Sequence, residues 1–274
     1  MHGGTALNLF IRLMTRLSID IDLTYIPVEN RSVSLANIHK ALESVRLNIE
    51  RVIRHAHVNL RKDIGKLQIS VKGVDIKLEV NLVNRGTLDR PVKMTLCEKA
   101  QKEYDAFCAI QIVPLGQLYG GKICAALDRQ HPRDLFDIKY LLNSEGFSEQ
   151  VKEGFIFCLL SSARPINELI MPHFKDQRSA MINQFTGMTN EPFSYEEYEE
   201  IRLTLLKTIH KNLTSKDKEF LLSIQKLAPD WSSYDFKDFP AIFWKLQNLQ
   251  KLKDFNPSKY AEQFELLKKE LDRL

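Results

Sequence analysis

Two hydrophobic rhythms divide the chain. In the first 115 or so positions short stretches alternate apolar and polar residues, and a period of two is the signature of a strand with one buried face. Ile19, Ile21 and Leu23 alternate with Asp20 and Asp22, which predicts a strand over 18–25, closed by Pro27 and Glu29-Asn30-Arg31. Leu67, Ile69 and Val71, then Val74, Ile76, Leu78 and Val80, flank Lys72-Gly73 and predict a hairpin over 66–82. Ile110–Val113 reads as a short strand ended by Pro114, and 83–108 as mixed, partly irregular chain. Between these lie helical spacings. Leu7, Phe10, Ile11 and Met14 predict a helix over 4–14 beginning at a Gly-Gly-Thr turn. Leu35 through Leu60 recur at steps of three and four, which predicts a long helix that Ser34 caps and that ends near Gly65. After Leu115 the spacing is helical almost throughout, over 115–129, from Arg133, and over 151–171, 196–212, 217–227, 239–253 and 258–274. Prolines at 165, 172, 192, 229 and 240 punctuate these segments.

The pattern implies an α+β fold, with a mixed sheet flanked by helices followed by a helical bundle. Asn143-Ser144-Glu145-Gly146 interrupts the rhythm, so the boundary is placed between 1–145 and 146–274. At 274 residues each part is long enough to bury a core. No apolar run approaches the ~18 residues needed to span a bilayer, and nothing after Met1-His2 resembles a secretory leader. A cytoplasmic protein is expected, its four irregularly spaced cysteines reduced and not arranged as a zinc site. Trp231 and Trp244 read as packing anchors, and His55 and His57 as surface residues. The charge is uneven: residues 1–142 carry 21 Lys and Arg against 15 Asp and Glu. That excess makes the first half the better place for a polyanion such as a triphosphate or RNA.

One stretch carries chemistry. Gly3, Gly4 and Thr5 supply backbone N–H groups and a hydroxyl for phosphate oxygens. Asp20 and Asp22 then share one face of the predicted strand. Two adjacent carboxylates repel unless a cation sits between them. Mg²⁺ is the natural candidate, with Mn²⁺ as the alternative, because it prefers hard oxygens and is shared with substrate phosphates. Glu79, deep in the alternation of the hairpin's second strand, is a candidate third acid. A solvent-facing polar strand face explains Glu79 equally well from the residues alone. Asp134 and Asp137 open a helix, where negative charge is favoured. Alternatively Lys122 binds phosphate while an Asp orients a basic residue. No Gly-x4-Gly-Lys-Ser/Thr occurs, which disfavours a P-loop kinase.

Together the motifs resemble the AbiEii/AbiGii toxin family, nucleotidyltransferases of the type IV toxin–antitoxin and abortive-infection kind. The resemblance rests on Gly3-Gly4-Thr5-Ala6-Leu7, Arg16-x-Ser18-x-Asp20-Ile21-Asp22-Leu23, Ile76–Val80, Lys122-x6-Arg129-x3-Arg133-Asp134-x2-Asp137 and the segment Phe239–Leu249. His2 stands where the family has Lys. The resemblance implies a DNA-polymerase-β-like nucleotidyltransferase core and transfer of a nucleoside monophosphate from an NTP, with RNA (a tRNA 3′ end) as acceptor. It implies Asp20, Asp22 and Glu79 at the metal, and Lys122 and Asp134 beside them as catalytic residues. It implies Gly3, Gly4, Thr5, Ser18, Lys122, Arg129 and Arg133 at the nucleotide. A cognate antitoxin encoded nearby, forming no stable complex, is also implied. Two other readings keep the same pocket: an NTP-dependent phosphotransferase, or a catalytically impaired nucleotide- or RNA-binding protein.

Overall fold

A four-stranded mixed sheet organises the first part of the chain. In the computed structural model, which describes residues 1–274, its strands are β1 (Ile21–Leu23), β2 (His57–Arg61), β3 (Lys66–Val71) and β4 (Val74–Val80), in the order β1-β4-β3-β2. β1 runs parallel to β4 and the other pairs are antiparallel. The hairpin forms as expected: Lys72 and Gly73 both take positive φ, the geometry a two-residue turn needs to match the twist of its strands. The alternation then sorts the sheet's faces. Leu67, Ile69, Leu78, Val80 and Val58 are buried against Ile38 and Leu42 of α2 (Arg31–Val52). The opposite register positions carry Asp22, Glu79, Lys66 and Arg61.

The helical stretch expected over 4–14 is shorter and of two kinds. A single α-turn, α1 (Gly3–Ala6), continues as a π-helical turn over Leu7–Ile11. The strand expected over 18–25 pairs only over Ile21–Leu23. The long helix does not reach Gly65. It ends at Val52, its N-cap is Asn30 rather than Ser34, and the chain reverses at His55, with φ 65°, into β2. A second, two-stranded sheet pairs β5 (Val92–Thr95) with β6 (Ala109–Ile112), with α3 (Glu98–Tyr104) between them in the chain.

The chain divides into two compact units, Met1–Pro114 and Leu115–Leu274, rather than after residue 145. The physical reason lies in α4 (Leu115–Asp128), which packs backbone to backbone on α6 (Glu149–Ser161). A Cβ on Gly120 would lie 2.2 Å from Gly154's carbonyl carbon, and one on Gly154 would lie 1.9 Å from the Gly116 oxygen. Asn143–Gly146 is only the turn between α5 (Pro132–Asn143) and α6. The remaining helices are α7 (Ile166–Ile170), α8 (Arg178–Ala180, continuing as a π-turn to Phe185), α9 (Tyr195–Asn212), α10 (Ser215–Gln225), α11 (Pro240–Phe255) and α12 (Pro257–Arg273). Thr214 and Asp217 form a reciprocal cap at the start of α10, each satisfying an N–H the helix leaves open. Phe157, Phe236 and Phe239 meet edge to face in the interior of this unit. No helix is long and apolar enough to cross a membrane.

Candidate active site

The glycine turn and the acid pair are one construction. The His2 N–H donates to the Asp22 carbonyl at 2.8 Å, so the chain before the turn bridges to β1. Gly3 takes φ 79°, which only glycine adopts cheaply. A Cβ on it would lie 2.2 Å from Oδ2 of Asp22. The glycine therefore serves two purposes: it makes the turn, and its missing side chain leaves the space beside the Asp22 carboxylate.

Two buried side chains tie this turn to the segment before β1. The Asn8 amide donates to the Gly4 carbonyl at 3.0 Å, and its oxygen accepts from the Thr15 hydroxyl at 2.9 Å and the Arg16 N–H at 3.1 Å. Thr5 is buried, and its hydroxyl donates to the Asp20 carbonyl and shares a hydrogen bond with the Ser18 hydroxyl at 3.0 Å. Thr5 and Ser18, both expected at the phosphates, thus hold the backbone of Asp20. Asn8 is not among the expected site residues. Its signal was there, a polar residue within the apolar run Ala6-Leu7-x-Leu9-Phe10.

Asp22 and Glu79 are register partners on neighbouring strands, and Glu79 in turn faces Lys66 on β3. Lys66 and Glu79 form an ion pair. The three-carboxylate site expected from Asp20, Asp22 and Glu79 is accordingly not assembled. No group of three or more His, Cys, Asp or Glu is gathered to hold a metal ion, and Lys66 holds the third carboxylate instead. That contact was legible in principle, because pairing around a two-residue Lys72-Gly73 turn sets Lys66 opposite Glu79. The donors that remain close to the glycine turn are Asp20 and Asp22, both half-buried. A two-carboxylate set suits Mg²⁺, which commonly takes one or two protein carboxylates and completes its shell with substrate phosphates and water.

In the second unit the remaining candidates form a buried charge network. Lys122, mid-way along α4 and 7% exposed, contacts Asp137 at 2.8 Å and Asp134 at 3.4 Å. Arg129, at the end of α4, grips Asp134 with two bonds of 2.6 and 2.9 Å. The half-exposed Arg129 side chain reaches solvent, whereas Lys122 barely does. Burial opposes ionisation of Asp134, but Lys122 and Arg129 outweigh it and hold the carboxyl below its usual range. Asp134 does lie in the first turn of α5, where negative charge is favoured. His131 caps α5, its Nδ1 accepting from the Arg133 N–H at 3.2 Å, with Pro132 in the first turn. Asp137, quoted in the motif but left out of the candidate set, is an equal member of the network. The Arg133 side chain is half-buried.

The family model described as "Nucleotidyl transferase AbiEii toxin, Type IV TA system" matches residues 1–248. The chain belongs to the AbiEii toxin family. This AbiEii protein is therefore a nucleotidyltransferase of the type IV toxin–antitoxin class. No curated protein matches it. Among solved structures it is similar to MenT4, a nucleotidyltransferase toxin from Mycobacterium tuberculosis H37Rv. The TM-score is 0.61 at 13% identity, over 90% of this chain and 83% of that one. At that identity the likeness is one of fold, and it places the AbiEii chain in the mixed α+β fold of that toxin.

Proposed function

We propose that the protein transfers a nucleoside monophosphate from an NTP to an acceptor hydroxyl of RNA, at a tRNA 3′ end. The acceptor oxygen bonds to the α-phosphorus as the bond to the bridging oxygen breaks, and pyrophosphate leaves. The observation that most supports this reading is the Asp22 carboxylate lodged over the side-chain-free Gly3. It brings an acidic group directly against a glycine turn whose first N–H groups have no helical partner.

In this reading Asp20 and Asp22 hold Mg²⁺, or Mn²⁺, which accepts the same oxygen donors. The bound ion supplies charge neutralisation and orientation at the phosphates. Gly3 and Gly4 present amides to phosphate oxygens. Thr5, Ser18 and Asn8 fix the backbone that carries these groups. Glu79, next to Asp22 in the sheet, takes the proton of the attacking hydroxyl. In the second unit Arg129 and Arg133 offer positive charge to phosphate groups, and Asp134, itself held by Lys122, positions Arg129. The protein works in the cytoplasm, and its antitoxin, encoded nearby, acts without a stable complex.

The test is incubation with each α-labelled NTP, Mg²⁺ and total cellular RNA. Label should pass to an RNA species with release of pyrophosphate. Asp20→Ala/Asp22→Ala should remain folded and lose transfer by about a thousandfold or more, the several kcal/mol that metal-held charge contributes. Undiminished transfer by that variant would sink the assignment, and transfer from γ-labelled but not α-labelled NTP, in parallel incubations, would make the protein a phosphotransferase.

A further inference from the structure

Away from the motif residues, α11 buries a lysine that faces no carboxylate at bonding distance. Lys245 is 7% exposed, and its ammonium donates to the carbonyls of Ser162 at 2.9 Å and Arg164 at 2.5 Å. Both oxygens belong to the turn that ends α6, the negative end of a helix dipole. Burial pushes the Lys245 pKa down to about 8, and Cys124 and Glu168 offset only part of that. Beside it, on the last turn of α10, Gln225 is 3% exposed and its amide nitrogen has no hydrogen-bond partner. Both side chains line one pocket of about 140 Å³, framed by the α6–α7 turn, α10, α11 and α12.

Tethering of α11 to the end of α6 accounts for the two carbonyl contacts. It does not account for a buried amide nitrogen without a partner, nor for a pocket that both residues line. An unmade buried hydrogen bond costs about 1–3 kcal/mol, and Lys245 has two carbonyl acceptors but no counter-charge. An incoming anion relieves both. The rest of the lining is polar at Ser161, Ser162, Asn248 and Gln263 and apolar elsewhere. Leu249, Leu252 and the indole of Trp244 form an apolar wall, and one lysine balances one negative charge. A phosphate dianion would leave excess charge against that wall. A cavity of about 150 Å³ accommodates a ligand the size of benzene.

We propose that this pocket binds a small aliphatic monocarboxylate, its oxygens accepting from Lys245 Nζ and Gln225 Nε2 and its alkyl end resting on Leu249, Leu252 and Trp244. The site is independent of nucleotidyl transfer and lies wholly within the second unit.

Full-length protein carrying Trp231→Phe, so that Trp244 is the sole tryptophan, would be titrated at pH 7 with butyrate, butyramide or inorganic phosphate. Saturation-transfer NMR of the butyrate methyl group would give a second readout. Butyrate should saturate with a dissociation constant on the order of millimolar, as expected for six heavy atoms of moderate efficiency. Butyramide and phosphate should bind roughly tenfold more weakly or not at all. Lys245→Met should cost roughly tenfold, and Gln225→Leu about fivefold, the value of one hydrogen bond. Failure of butyrate to saturate overturns the proposal, as does butyramide binding as well as butyrate. Equal binding of phosphate overturns the carboxylate assignment. So does butyrate affinity unchanged in a folded Lys245→Met protein or, should that variant not fold, in Gln225→Leu.

Discussion

Single residues decide the candidate chemistry by what they lack as much as by what they carry. Gly3 is the sharpest case. Ala at that position meets both an unfavourable positive φ and the Asp22 carboxylate. Gly3→Ala should cost about 1–3 kcal/mol of stability from the backbone alone. It should cost about a hundredfold in nucleotide transfer, because a shift near 1 Å in a positioned group has that effect. Full activity in that variant would separate Asp22 from the reaction. Asp134 gives a different test. Its carboxyl is held below the ordinary value by Lys122 and Arg129 against the cost of burial, so the unfolded chain takes up its proton first as pH falls. The stability it contributes is therefore complete above the unfolded carboxyl pKa of about 4 and is lost as pH drops through the folded one. Unfolding free energies of wild type and Asp134→Asn from urea titrations should differ most at neutral pH, by about 3–5 kcal/mol for a broken buried pair, and converge as the pH is lowered. A gap that stays constant across that range would show that the ion pairs do not carry the difference.

At the level of elements, the α4–α6 contact fixes where Lys122 sits. The two helices approach so closely at Gly116, Gly120 and Gly154 that no side chain fits between them. One methyl group there must push the helices apart. Gly154→Ala should destabilise the protein by about 1–3 kcal/mol or more, seen as a lowered thermal midpoint, while the equally small change Gly121→Ala, whose new Cβ would have only the Cys158 sulfur at 3.9 Å, should be nearly neutral. Equal effects at the two sites would show that helix propensity, not close packing, governs this helix.

At the level of the molecule, Leu115–Leu274 has an aromatic interior and its own capped helices. Expressed alone, this segment should show strong helical circular dichroism and a single cooperative melt. A gradual, dye-binding transition would show that it has no independent core. Much of this unit was legible in the sequence. Its helices carry sustained 3.6-residue spacing and announce their starts with Ser194, Thr214, Pro240 and Pro257. The failures have local causes. β2 was absorbed into the preceding helix because Val52, Ala56 and Leu60 fit helical spacing, and the residue that breaks the run, His55, is not one that signals a turn. The boundary at Pro114 has no linker composition, whereas the Asn143–Gly146 turn does. Trp244, expected as a packing anchor, is 45% exposed and lines the Lys245 pocket. In the site, Gly3-Gly4-Thr5 and Asp20-x-Asp22 are each readable as local motifs, but the Gly3–Asp22 contact required the fold. The Lys66–Glu79 pair required strand register. The Lys122–Asp137 contact required two helices to pack.

The π-helical turn at Leu7–Ile11 has a consequence for how such chains diverge. A π-turn holds one more residue than the α-turn it replaces, so it acts as a reservoir of chain length between the phosphate turn and the acid pair. A relative could gain or lose a residue there and keep Gly3 and Asp22 in contact, because the slack is taken up inside the coil of the helix. The spacing between the two motifs is thus a loose hallmark of this site, and the fit of a bare glycine under a carboxylate is the stricter one.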